Sequence, residues 1–239
     1  MNRQLPLALP WPAHQRFESF LAGANAAGVD ILRRAAHADG IDKVFLAGPG
    51  GSGKTHLLIA ACAEASSLGR RAQYLDPATV SGPLTEAIRQ FGGSDMLAID
   101  DVDLIAGSAE AEHALFDLHN RCVAEGTTLL FAASDPPAAL PLVLPDLTSR
   151  LSACTQWQLR ALDETSRREA LRERAASRGI ELDQAVLDWL FTRRARDLGA
   201  LTELLDQIDL AALAAKRRVT VPFLRELLEN VRQPDEPGS

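Results

Sequence analysis

A glycine-rich stretch at Gly48–Thr55 carries the strongest chemical signal in the sequence, which reads Gly-Pro-Gly-Gly-Ser-Gly-Lys-Thr there. This stretch matches the pattern G-x-x-x-x-G-K-[S/T] at every fixed position. Glycines let successive backbone N–H groups turn towards phosphate oxygens. We therefore predict a nucleotide site in which Lys54 reaches the β- and γ-phosphates and Thr55 binds Mg²⁺. The predicted nucleotide contacts are Gly48, Pro49, Gly50, Gly51, Ser52, Gly53, Lys54, Thr55 and His56.

Two aspartates, Asp100 and Asp101, directly follow the apolar run Met96–Ile99. At the carboxyl end of a parallel strand they would face the ligand crevice. We predict that Asp100 holds Mg²⁺ through water and that Asp101 orients or deprotonates an attacking water. Aspartates also end strands at ordinary turns. The catalytic interpretation of this pair therefore depends on the phosphate loop elsewhere in the sequence.

A second polar tip follows the apolar run Thr127–Ala133, where Ser134 and Asp135 stand before two prolines. We predict that Ser134 or Asp135 contacts the γ-phosphate or the attacking water. An ordinary strand-end turn before Pro136 explains the same spacing equally well. Spacing alone does not separate these two interpretations.

Strand-like and helical segments alternate through the first part of the chain. Short apolar runs predict buried strands, and apolar residues at helical spacing predict the helices between them. Such alternation is typical of parallel β-α-β units, so we predict an α/β fold with a central parallel sheet. The predicted strands are Lys43–Ala47, Ala72–Leu75, Met96–Ile99 and Thr127–Ala133, and the predicted helices are Lys54–Leu68, Ala78–Phe91 and Glu110–Ala124.

Only helical periods follow residue 160, and Asp163 and Asp183 stand where helix N-caps belong. We therefore predict an extended segment at 1–13, an α/β nucleotide-binding domain at 14–160, a small all-helical domain at 161–231 and a loose tail at 232–239. The predicted helices of the second domain are Asp163–Arg178, Asp183–Arg193, Asp197–Arg217 and Pro222–Asn230.

The composition argues against several functional classes. Acidic residues number 32 against 25 basic ones, a formal net charge of −7, which repels polyanions and argues against strong direct DNA binding. The 3 cysteines are far apart in the sequence and predict free thiols rather than a zinc site or disulfides. No apolar run reaches membrane-spanning length, so we expect a cytoplasmic protein without membrane contacts.

Several segments together resemble the DnaA-related AAA+ family. They are Phe17–Asn25, the Asp100–Asp101 pair, Arg150 in Ser-Arg-Leu, and Arg196–Leu201. The resemblance implies an AAA+ P-loop domain with a central parallel sheet, followed by a small helical lid. It also implies that Arg150 is an arginine finger acting in trans on a partner's nucleotide, and that Arg196 is a sensor arginine over the phosphates.

The N-terminal hexapeptide resembles the peptide that docks on the β sliding clamp of DNA polymerase III, with contacts at Gln4, Leu5, Leu7 and Leu9. Ala8 stands where that peptide commonly has proline. No helix-turn-helix segment follows the lid in this sequence, so we expect no DNA-binding domain. Within the family this organisation implies a negative regulator of replication initiation. Such a regulator binds ADP or ATP with Mg²⁺, docks on the clamp on DNA and stimulates ATP hydrolysis by DnaA.

Two other functions stay open as alternatives. An autonomous AAA+ ATPase of the helicase-loader type fits the complete phosphate loop, so ATP turnover by this chain itself is one of them. A P-loop kinase of a small substrate is disfavoured, because the all-helical end and Arg196 suit an AAA+ lid. The sequence also leaves a homo-oligomer open.

Overall fold

The computed structural model describes residues 11–12, 14–40, 42–177, 179–193, 208 and 219–230. The chain divides into two units, Met1–Ala161 and Leu162–Ser239. Each unit is described below by itself.

The first unit is built on a parallel sheet with the strand order β2-β3-β4-β1-β5. Its central strands are buried on both faces, as the short apolar runs in the sequence predict. Phe45 and Phe131 stand opposite each other in the register, and their ring centroids lie 6.4 Å apart. The predicted α/β fold is thereby confirmed. The strands are β1 Lys43–Ala47, β2 Ala72–Leu75, β3 Met96–Ile99, β4 Thr128–Ala133 and β5 Thr155–Gln158.

Helices cover both faces of this sheet. Successive residues of a strand point to opposite faces, so Phe45 joins a core with α3, α4 and α5, while Val44 and Leu46 join a core with α1 and α2. Helix α4 is bounded by its own sequence, because the Ser108 side chain caps its start and Gly126 ends it at φ +72°. The helices are α1 Ala26–Ala36, α2 Lys54–Ser67, α3 Leu84–Gln90, α4 Ala109–Glu125 and α5 Pro145–Ser152.

The predicted helix Ala78–Phe91 is wrong over its first half. A short 3-10 helix at Pro77–Thr79 precedes α3, and α3 starts only at Leu84. Gly82 at φ +107° and the extended Pro83 break the chain between them. Proline at this position removes a donor and clashes with a preceding helical turn, so the continuous helix is excluded.

Helix α5 and strand β5 are elements that the apolar pattern did not predict. Strand β5 is mostly exposed at the sheet edge and is polar except for Trp157, so it gives no apolar run. Trp157 packs tightly against α1, since a Cβ added at Gly28 would lie 2.3 Å from its Nε1 atom. Close packing across the chain, rather than local pattern, therefore fixes this edge.

The second unit contains α6 Glu164–Ser177, α7 Gln184–Arg193 and α8 Val221–Asn230. The predicted caps at Asp163 and Asp183 are confirmed, since their carboxylates accept from the N–H groups of Ser166 and Val186. The predicted helix Asp197–Arg217 lies outside the described residues except at Ile208, which is helical and buried. The core of this unit is formed by Leu171, Ala175, Leu187, Leu190, Ile208, Phe223 and Leu224, among others.

All cysteines are free, as predicted, and the structure shows that all of them are buried. Burial raises the pKa of Cys62 to about 12. It likewise raises the pKa of Cys154 to about 11, so both thiols stay protonated at neutral pH. Within the described part of the chain, no helix has the length and apolar character that crossing a bilayer requires.

Candidate nucleotide-binding site

The glycine-rich loop connects β1 to α2 and wraps around its own lysine. Gly51 and Gly53 have φ values of +73° and +92°, which place both in the left-handed region that glycine tolerates. Lys54 opens α2 and is buried, and its Nζ donates to the carbonyl oxygens of Gly48 at 2.7 Å and Pro49 at 3.3 Å. The ammonium group therefore lies inside the curve of the loop, beside the positive N-terminal end of a helix.

The loop has no room for larger residues at two of its glycines. A Cβ on Gly48 would lie 2.9 Å from the Leu159 Cβ, and a Cβ on Gly53 would lie 2.5 Å from Cε2 of Phe20. The Ser52 hydroxyl is buried and has no hydrogen-bond partner among the residues that the structure describes. A tight glycine loop, an inward lysine and an unpaired hydroxyl at a helix N-terminus fit the phosphates of a nucleotide.

Residues 11–12 and 14–20 contact α2 at points between its last turn and this loop. The Trp11 indole donates to Ser66 near the end of α2, with 2.9 Å between Nε1 and Oγ. One turn into α2, His56 Nε2 lies 2.9 Å from the carbonyl oxygen of Arg16, and its ring centroid lies 5.4 Å from that of Phe20. His56 thus positions the segment that covers the loop, and its predicted contact with nucleotide stays a prediction.

Asn25 forms a buried link between two segments of the first unit. Its amide donates to the Arg160 carbonyl oxygen and accepts from the Arg160 N–H, each at 2.9 Å. The side chain is 2% exposed, so this reciprocal pair is sheltered from water. The pair ties the end of the 3-10 turn Gly23–Asn25 to the chain just after β5. Sequence reasoning noticed Asn25 only as part of a family motif.

The acidic pair lies at the carboxyl end of β3, as predicted from the strand. Asp100 is almost fully buried and accepts a hydrogen bond from the Tyr74 hydroxyl at 2.8 Å. Asp101 follows at φ +38°, an uncommon conformation for a residue other than glycine. Burial raises the pKa of Asp101, the charge of Asp100 raises it further, and the ammonium of Lys54 opposes both. The pair and Lys54 are therefore within electrostatic reach of one another.

Ser134 forms hydrogen bonds with Asp103, which the sequence did not indicate as a site residue. Its hydroxyl donates to Asp103, and its N–H donates to the same carboxylate at 2.9 Å. Asp103 belongs to the short 3-10 helix after the acidic pair. This contact joins the tips that follow β3 and β4, and the predicted contact of Ser134 with the γ-phosphate stays a prediction.

A divalent ion at this edge would need oxygens from the nucleotide. Among the described residues, no group of three or more His, Cys, Asp and Glu side chains is placed to hold a metal by itself. Mg²⁺ commonly binds to one or two protein oxygens together with phosphates and several waters. The Thr55 hydroxyl, which is exposed at the start of α2, and Asp100 through water are the residues that would hold it here.

Arg150 lies in the last turn of α5 and is exposed. Its guanidinium makes no hydrogen bond or ion pair with any other residue in the described ranges. Leu147 and Leu151 of the same helix are buried in the core, so the helix that carries Arg150 is anchored to the first unit. The side chain is thereby held on a fixed element with its charge directed to solvent.

His119 of α4 is a buried histidine near this arginine, and it makes the stability of the protein depend on pH. Burial lowers the pKa of His119, and the charges of Lys43 and Arg150 lower it further. Below about pH 6.5, His119 therefore binds a proton more readily in the unfolded chain than in the folded chain. We expect the free energy of unfolding to fall as pH drops from about 7 to about 5.5, and to fall less in His119→Gln.

Urea unfolding at the two pH values measures this difference. His113→Gln is the matched control, because His113 is exposed on the same helix. An equal loss of stability in wild type and His119→Gln would show that another group is responsible.

The remaining predicted site residues, Gln4, Leu5, Leu7, Leu9 and Arg196, lie outside the described residues. The structure brings together the glycine loop, Lys54 and the acidic pair. Arg150 lies on a different element, exposed at the end of α5.

Two family models match the chain. The model for the bacterial DnaA ATPase domain matches residues 13–160, and the model for the Hda lid domain matches residues 163–228. Together they span the sheet unit and the helical unit. Neither match includes the N-terminal hexapeptide.

Solved structures with the same fold include DnaA proteins. Domain III of the replication initiation protein DnaA from Thermotoga maritima matches with a TM-score of 0.73 and 22% identity, over 95% of this chain and 100% of that one. AMPPCP-bound DnaA from Aquifex aeolicus matches with a TM-score of 0.68 and 22% identity, over 85% and 67%. The RuvB Holliday junction branch migration motor of Thermotoga maritima is more distant, with a TM-score of 0.58 and 19% identity over 86% and 67%.

At these identities the structural likeness shows the fold alone, and the family models carry the assignment. The first of them covers more than half of the chain, and the second begins almost where the first ends. The chain therefore belongs to the DnaA-related AAA+ family, with a bacterial DnaA-type ATPase domain followed by a lid domain of the Hda type.

Proposed function

We propose that this protein is a negative regulator of replication initiation that stimulates ATP hydrolysis by DnaA. The observation that carries the proposal is the exposed and uncommitted guanidinium of Arg150 at the end of an anchored helix. Arg70 of the same unit gives the contrast, because its guanidinium donates to the backbone of Ala35 and Asp95 and to Thr128. An exposed arginine whose guanidinium has no intramolecular partner in the described ranges is suited to act on another protein.

In this mechanism Arg150 enters the nucleotide site of DnaA across a shared interface. Its guanidinium donates to the oxygens of the phosphoryl group that is transferred to water, where negative charge is distributed in the transition state. The planar fork can donate to two oxygens at once, which a lysine cannot do. DnaA is left in the ADP form, which does not start another round of replication.

The protein's own nucleotide would have a structural role. The glycine loop and Lys54 would bind the phosphates, and Thr55 and, through water, Asp100 would hold Mg²⁺. Arg196 is proposed as the sensor arginine for the phosphates. Bound nucleotide would supply the negative charge that this positive loop needs. The complete glycine loop, together with Asp101 at the carboxyl end of β3, favours one alternative. This alternative is an autonomous ATPase of the helicase-loader type.

The deciding experiment measures ATP hydrolysis by DnaA with and without this protein, in the presence of clamp loaded on DNA. We expect hydrolysis to accelerate only when protein and clamp are both present. Hydrolysis by the protein alone is the parallel control. Turnover by the protein without any acceleration of DnaA would favour the helicase-loader alternative and reject the proposed one.

Recruitment to the β sliding clamp is assigned to the N-terminal hexapeptide. We expect the double variant Gln4→Ala with Leu5→Ala to lose clamp binding about tenfold or more, because these side chains supply the specific contacts in a short docking peptide. Pull-down on immobilised clamp measures the loss, and Asn2→Ala with Arg3→Ala is the control next to the peptide. Undiminished binding of the first variant would place the docking site elsewhere.

A further inference from the structure

A buried carboxylate, Glu112, is the least expected charged group in the first unit. It lies in the first turn of α4 and is 0% exposed. None of the ion pairs among the described residues includes it. An uncompensated charge in such a place is strongly destabilising, so the hydrogen bonds of the carboxylate must compensate for its burial.

Those hydrogen bonds all come from backbone N–H groups of two other segments. Gly107 donates to Oε1 at 2.8 Å, and Leu144 donates to Oε2 at 2.7 Å. Val143 donates to both oxygens, at 3.0 and 2.9 Å. One side chain thus holds together two stretches of chain that are more than thirty residues apart in sequence.

The two segments that Glu112 joins are relevant to the proposed reaction. Gly107 ends the loop that begins with the acidic pair, and Val143 and Leu144 lead into α5. Helix α5 has no side-chain cap of its own at Leu144. The carboxylate of Glu112 lies at the positive end of α5, where a negative charge is favourable. Glu112 therefore fixes both the starting point and the direction of the helix that ends with Arg150.

We propose that Glu112 is the positioning residue for Arg150, and this inference rests on the proposed function of that arginine. Leu144 and Arg150 are six residues apart, about 9 Å along a helix. A tilt at the first turn is therefore carried directly to the guanidinium. Through Gly107, the same carboxylate ties the arginine helix to the loop of the protein's own nucleotide site.

Glu112→Gln tests the inference with little change in volume. The amide keeps one acceptor oxygen but turns an N–H₂ group towards backbone donors, so the N–H of Gly107 or of Leu144 loses its acceptor. In either orientation the negative charge at the start of α5 is lost. Leu32→Val is the matched control, because Leu32 is equally buried on α1, across the sheet from α5. Thermal unfolding of both variants shows that each is folded under the conditions of the assays.

The first measurement is amide hydrogen exchange of the intact protein. In Glu112→Gln we expect residues 143–152 to exchange about tenfold faster or more, with little change in the glycine loop. Leu32→Val should leave residues 143–152 unchanged. Unchanged exchange of this segment in Glu112→Gln would overturn the inference, whether or not the protein acts on DnaA.

The second measurement is stimulation of DnaA at saturating concentrations of the regulator. Glu112→Gln should lower the maximal stimulated rate about tenfold or more and leave the affinity for ADP within about twofold. In an Arg150→Ala background the same substitution should change nothing further, which a merely structural role would not predict.

The outcomes separate the two proposals. Faster exchange together with lost stimulation supports the positioning role, and faster exchange with normal stimulation overturns it. If the wild-type protein does not stimulate DnaA, the proposed function fails. The exchange experiment then still decides whether Glu112 holds α5.

Discussion

Replacing Arg150 with alanine should reduce the stimulated rate of ATP hydrolysis by DnaA on the order of a thousandfold. An arginine that reaches a phosphoryl group across an interface acts mainly in the transition state, so the rate falls far more than binding does. The guanidinium is exposed at the end of α5, and its removal leaves no buried partner behind. We therefore expect wild-type thermal stability, nucleotide affinity and clamp binding in the variant.

Two variants make this test specific. Arg150→Lys keeps the charge but loses the planar fork, and we expect it to recover only a small part of the rate. Arg71→Ala removes an exposed arginine that pairs with Asp95, and it should stimulate DnaA as the wild type does. If Arg150→Ala stimulated DnaA at the wild-type rate, Arg150 would not be the arginine finger.

Replacing Lys54 with alanine should weaken ADP binding roughly 100-fold. The ammonium group is buried inside the loop, where its attraction to phosphate is screened much less than at the surface. Isothermal titration calorimetry with MgADP measures the loss directly. The loop carbonyls of Gly48 and Pro49 also lose their donor, so the loop itself should become looser.

Lys43→Ala is the control for this variant. Lys43 begins β1 and the phosphate loop follows its end, so the two lysines lie at opposite ends of one strand. We expect ADP affinity close to that of the wild type. Equal losses in both variants would mean that general charge, rather than the loop, governs affinity, and unchanged affinity in Lys54→Ala would disprove the nucleotide site.

Local pattern predicted the central strands β1, β3 and β4 well because they are buried on both faces of the sheet. Each of them is a short apolar run, and the run Lys43–Ala47 has the same bounds in the structure. Helix α5 and strand β5 lack such a signal, since α5 begins at a proline and β5 is a polar edge strand. Their positions depend on contacts with distant parts of the chain, which periodicity does not encode.

The candidate site was likewise predictable only where its residues are contiguous in sequence. A single contiguous motif places the glycine loop and Lys54, so spacing was enough to find them. The contacts of Asp100 with Tyr74, of Ser134 with Asp103 and of Glu112 with α5 join residues far apart in sequence. A lone tyrosine or glutamate in an ordinary segment carries no sign of such a role. Only the folded chain reveals which of these side chains face one another.

Residues 11–12 and 14–20 contact α2 at two widely separated points. The Trp11 indole is hydrogen-bonded to Ser66 near the last turn of α2, whereas Phe20 lies against Gly53, the residue that precedes the helix. Helix α2 has 14 residues, so these two points are separated by about 20 Å. Because the two contacts lie near opposite ends of the helix, breaking either one would leave the segment attached to α2 by the other.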